Sequence, residues 1–171
     1  MRRFVCFLLC CLLSLGLMGC QNADTPSLLK PVEFFYPQNT FSYTDTDTIF
    51  GSEHRESAGH EEDLVYLMDL YFGGPQSETL LQPFPQDCTT VSVTKKNDAV
   101  FLTVSDNFSS LTGMKLTVAC VCLAKTVTGI TGFHTVTIQT QTQLLDGKKS
   151  ITVQNGKPVV LDDYIAPVHT D

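Results

Sequence analysis

Tryptophan is absent from the 171 residues, and so are the usual marks of a reaction centre. There is no G-x-S-x-G nucleophile elbow, no pair of histidines at metal-ligand spacing and no phosphate loop, so no catalytic, cofactor-binding or metal-binding residues are assigned. Positive charge is scarce: 11 lysines and arginines face 18 acidic residues, a formal charge of −7. A surface this acidic repels phosphate backbones, and no basic patch with interleaved aromatics offsets it, which excludes a nucleic-acid partner. A long hydrophobic run is also lacking. The longest, residues 4–18, falls short of the about 20 residues that a membrane span needs.

That short run has a different meaning. It follows Arg2 and Arg3 and ends in Leu17-Met18-Gly19-Cys20, the positive-apolar-small order of a secretory signal. Leu17-Met18-Gly19-Cys20 resembles the bacterial lipobox, which implies cleavage before Cys20 and a diacylglyceryl group on its sulfur. Two acyl chains anchor stably where one binds only marginally. The organisation expected is a signal peptide over residues 1–19, a lipidated tether over 20–30, one folded domain over 31–161 and a polar tail over 162–171. Loss of Arg2 and Arg3 with the leader would take the charge from −7 to −9. The place expected is the extracytoplasmic face of the cell membrane, with lipid on Cys20 as the attachment.

Four of the seven cysteines lie in the leader or end it. Cys88, Cys120 and Cys122 remain, an odd number. A bridge from Cys88 to either of the others is geometrically open, and buried free thiols are the alternative.

Within the body, residues 61–75 carry the clearest local signal. Glu61, Glu62 and Asp63 precede Leu64, Leu67, Met68 and Tyr71 at helical spacing, and Gly73-Gly74-Pro75 stops the run. Residues 31–37, bracketed by prolines and rich in aromatics, read as a strand. Residues 51–60 read as a solvated charged loop, whose His54 and His60 lack the spacing of metal ligands. Leu80, Leu81 and Phe84 lie among prolines in a packed loop.

The best hairpin pairs residues 89–94 with 99–104 across Lys95-Lys96-Asn97-Asp98. Residues 111–127 read as a second helix with Leu116, Ala119, Leu123 and Val127 as its buried stripe. Residues 133–139 alternate as a strand that puts His134 on the face of Val136 and Ile138. Asp146-Gly147 and Asn155-Gly156 are tight turns, and Pro158 marks the last strand as an edge.

This order of pieces resembles the GerMN domain of spore-forming and related Gram-positive bacteria. The residues that carry the resemblance include Leu64, Leu67, Gly74-Pro75, Pro85, residues 100–105, Phe108, Leu123, Thr126-Val127, Val136, Ile138 and Asp146-Gly147. The resemblance implies a small α+β domain with two helices packed on one mixed or antiparallel sheet, in β-α-β-β-α-β order, similar to ring-building modules. It implies no enzymatic activity, and a non-catalytic lipoprotein that binds envelope proteins, with self-association into rings, in sporulation, germination or envelope signalling. A small ligand-binding lipoprotein serving a transporter is the alternative. A hydrolase using Asp69, Asp106 or His134 has no supporting spacing.

Overall fold

The computed structural model describes residues 31–40 and 49–157. The expected leader, Cys20, the expected tether, Pro158 and the expected tail lie outside these residues. Eight strands and helices follow in the order β1 (Pro31–Pro37), β2 (Phe50–Glu56), α1 (Leu64–Phe72), β3 (Thr90–Lys96), β4 (Ala99–Val104), α2 (Gly113–Thr131), β5 (Thr135–Thr140) and β6 (Ile151–Gln154), with a short 3-10 helix at Asp106–Ser110. The result is a small α+β domain, two helices on a mixed sheet, and the β-α-β-β-α-β order is contained in it.

The main sheet runs β3-β4-β5-β6. β3 and β4 form the expected hairpin, turned by Asn97 and Asp98 at φ of 50° and 57°, the left-handed pair that suits a two-residue turn. β4 and β5 are parallel, so α2 is their crossover. β6 returns antiparallel to β5. Inward positions alternate along each strand: Val100, Leu102, Val136, Ile138, Ile151 and Val153 are all buried. On α2 the stripe Leu116, Ala119, Leu123 and Val127 is buried as its spacing predicts, and Gly132 ends the helix in the left-handed conformation. α2 is also long and apolar enough to cross a membrane by length and composition. Its buried side chains join the core that the strands build, so in this fold it serves as the core helix.

α1 begins where Asp63 accepts the Tyr66 N–H at 3.1 Å, and its stripe Leu64, Leu67, Met68 and Tyr71 is buried. Gly74, at φ of 91°, turns the chain away before Pro75.

β1 and β2 stand apart as a second, two-stranded antiparallel sheet. Here the charged-loop reading of residues 51–60 is corrected, since Phe50–Glu56 is a strand. Alternation is present, but its inward side is polar: Glu53, Arg55 and Ser57 point toward the domain, which a hydrophobic pattern cannot reveal. Gly51 is needed for close approach, because a Cβ there would lie 2.7 Å from the Leu80 side chain.

β1 supplies the apolar side of this ribbon. Phe34 and Tyr36 are fully buried, and each such side chain contributes about 1.5–3 kcal/mol. Tyr71 of α1 packs between them, with ring centroids 5.2 Å from Phe34 and 4.8 Å from Tyr36. The far edge of β1 is closed at Phe35, whose N–H donates to Thr126 Oγ1 of α2 at 2.9 Å and whose carbonyl accepts the Tyr71 hydroxyl. Both helices thus cap the first strand, so that edge is not open to another chain there.

Candidate functional site

The proline-flanked loop after α1 is pinned to the end of β1. Leu81 N–H donates to the Pro37 carbonyl at 2.8 Å, Asn39 N–H to the Thr79 carbonyl at 2.9 Å, and Gln82 Nε2 to the Phe72 carbonyl at 2.7 Å. Leu80 and Phe84 face inward, as a packed loop requires. Phe84 meets Phe72 edge-on at 4.9 Å and Tyr71 at 5.0 Å, within the preferred range for aromatic pairs. Leu81, between them, points outward and is 48% exposed.

Across from Leu81 stands the first turn of α2. Gly113 enters the helix at φ of 54°, and Met114 follows at 75% exposure. Between the two walls lies a groove of about 460 Å³, floored by Phe84, Leu111 and Val118. Lys115 is its charged group, and no carboxylate lines it. An apolar concavity of this size, with one cation at its rim, is suited to holding an apolar segment beside an acidic group. Sequence pattern places Leu81 in a packed loop and starts the second helix at residue 111. The exposure of Leu81 and Met114 depends on two segments meeting, which no local period encodes.

The residues weighed for catalysis do not form a reaction centre. Asp69 accepts the Thr90 N–H at 2.8 Å and so ties α1 to the start of β3. Asp106 accepts the Thr142 N–H at 2.9 Å and the Thr142 hydroxyl at 2.5 Å, bonds that hold its carboxyl below the usual range. His134 is exposed at the opposite end of β5 from Asp106, and its carbonyl accepts the Asn155 N–H. His60 stacks on Tyr66 at 4.1 Å, and His54 faces outward from β2. Among the described residues no group of three or more His, Cys, Asp or Glu is placed to hold a metal.

Cys88, Cys120 and Cys122 are free and buried, so the question of a bridge resolves to separate thiols. Burial pushes Cys88 up to about 11 and Cys120 and Cys122 up to about 12. They are neutral at physiological pH, the wrong state for a nucleophile.

The polar centre of the molecule was not legible in the sequence. Arg55 is buried and pairs with Glu53, Nε to Oε1 at 2.8 Å. Its other nitrogens donate to the carbonyls of Leu70, at 3.1 Å, and Gly74 at the C-terminal end of α1. Glu53 in turn accepts the N–H groups of Gln76 at 2.9 Å and Ser77 at 3.0 Å. The cation meets the negative end of the helix, and the carboxylate meets the turn that follows it. The guanidinium also lies 5.6 Å from the centroid of the Phe34 ring. This cluster fastens the ribbon to α1.

No protein-family model matches the chain, and no curated protein matches it. Among solved structures it is similar to a protein from Clostridium perfringens whose name calls it a lipoprotein, with 18% identity and a TM-score of 0.48 over 75% of this chain and 90% of that one. At that identity and score the likeness carries no functional inference.

Proposed function

We propose that the protein is a non-catalytic lipoprotein, held on the extracytoplasmic face of the cell membrane by lipid on Cys20, whose domain acts as a GerMN-like protein-interaction module. The setting that fits is the cell envelope, in sporulation, germination or envelope signalling. The observation that carries the binding role is the groove between Leu81 and Met114, an open concavity with mostly apolar walls. Support for the anchor comes from Leu17-Met18-Gly19-Cys20 behind a charged and apolar leader. The occupant that fits is an apolar segment of a neighbouring envelope protein, with a carboxylate placed to meet Lys115.

A photo-crosslinker at position 114 of the membrane-attached chain tests this. The expected result is one recurrent envelope partner, linked through a segment that is apolar with an acidic residue, and lost in Leu81→Asp while the fold persists. Linking to many unrelated proteins, unchanged by Leu81→Asp, would overturn it. A small ligand-binding lipoprotein is the second reading, favoured by a groove volume that lies within the range of ligand sites. Thermal stabilisation by a small molecule, abolished by Leu81→Asp, would support that reading instead.

A further inference from the structure

The outward face of the four-stranded sheet is chemically unlike the rest of this acidic molecule. Both helices lie on the inward face, and no described element packs on the outward one. Register places Thr94, Phe101, Thr137 and Thr152 in one row across all four strands, with Thr103 and Gln139 in the row beside it. Of the outward positions Lys96 alone is charged and none is acidic, in a chain with 18 acidic residues. Half-solvated sheets carry polar residues on the wet side, but ordinary surfaces mix charges of both signs there. Apart from Lys96 and Ala99 at one end, the rows of this face present hydroxyls and amides around a single aromatic ring.

The polar groups are arranged rather than scattered. Thr137 Oγ1 and Thr152 Oγ1 share a hydrogen bond at 3.0 Å, and Gln139 Nε2 donates to Thr103 Oγ1 at 3.1 Å. Such cross-strand pairs hold the side chains in fixed positions and leave further lone pairs and protons facing outward. Phe101, 39% exposed, lies within the middle row.

Size and charge narrow the occupant. With strands about 4.8 Å apart and about 3.3 Å of rise per residue, the face spans roughly 400 Å². That is about half the area per partner of a stable protein interface. A charged ligand would find no complementary array. A sugar ring has a face of C–H bonds that stacks on an aromatic ring and a rim of hydroxyls that pair with hydroxyls and amides. We propose that this sheet face binds an uncharged glycan strand, with one sugar ring on Phe101 and neighbouring hydroxyls bonded by Thr137, Thr152 and Gln139. The proposal is independent of the groove and of the anchor, which lie elsewhere on the chain.

The test is a titration of the full isotope-labelled chain, in detergent, with cellotetraose and with the tetramer of N-acetylglucosamine, followed by amide resonances. The expected result is a set of shifts confined to β3, β4, β5 and β6 with at least one of the two sugars. Phe101→Ala should weaken binding about tenfold, the scale of one lost aromatic stacking contact. Gln139→Ala should weaken it severalfold and serves as the second variant if Phe101→Ala does not fold. Leu81→Asp should leave the affinity unchanged. Absence of shifts with both sugars, shifts centred on the groove, or unchanged affinity in the two face variants would overturn the proposal. So would concentration-dependent broadening of this face without sugar, which would mean that a second copy covers it.

Discussion

The two sheets are fastened to the helices by different means. The four-stranded sheet lays an apolar face, Val100, Leu102, Val136 and Ile138, against the stripe of α2, and its cohesion is non-directional. The ribbon is apolar only along β1. β2 turns Glu53 and Arg55 inward, so that beside the packing of Phe34 and Tyr36 on Tyr71 the ribbon meets α1 through hydrogen bonds that must have the right geometry. A core of the first kind tolerates substitution by shape and volume. One of the second kind fails sharply when a single partner is removed, since the remaining charge is held largely out of water without its opposite.

Arg55→Ala is therefore the largest effect expected, about 3–5 kcal/mol of destabilisation. Its signature is uneven. Hydrogen exchange should accelerate across Pro31–Pro37 and Phe50–Glu56 before the amides of β4 and β5 respond. Uniform acceleration in both sheets would break the contrast between them.

Tyr71→Phe comes next. Its hydroxyl donates to the Phe35 carbonyl, so its removal leaves a partly buried acceptor without that partner, and denaturant unfolding should show a loss of about 1 kcal/mol. Burial holds the Tyr71 hydroxyl well above its ordinary value, so the phenol stays neutral and keeps donating throughout the physiological range.

The smallest effect concerns Asp106, at the end of the main sheet. Hydrogen bonds from Thr142 lower its carboxyl pKa in the folded chain. A lowered folded value means that this stabilisation is present above the ordinary carboxylate range and is lost as the pH falls through the lower folded value. Asp106→Asn should flatten that part of the acid unfolding profile and leave the profile near neutrality unchanged.

The same contrast explains how much the sequence discloses. Both helical stripes, the β3–β4 hairpin and the Asp146-Gly147 turn follow from apolar period and turn chemistry, and each is present in the structure. Phe50–Glu56 reads as a loop because its inward residues are charged. Leu81 and Met114 form one groove only because a proline-held loop and a helix start meet in space. The fold's apolar half is written in local spacing, whereas its polar fastening and its open surfaces depend on partners distant in the chain.

Membrane attachment through Cys20 is the claim on which the proposed function rests most heavily. The direct measurement is membrane fractionation with intact mass for the native chain and for Cys20→Ala, alongside thermal unfolding of both. The account predicts a native chain in the membrane fraction, cut before Cys20 and heavier by a diacylglyceryl group, and an unprocessed Cys20→Ala chain with the same unfolding temperature for the domain. A Cys20→Ala chain that is processed, of unchanged mass apart from the substitution, and attached to the membrane as before would contradict it.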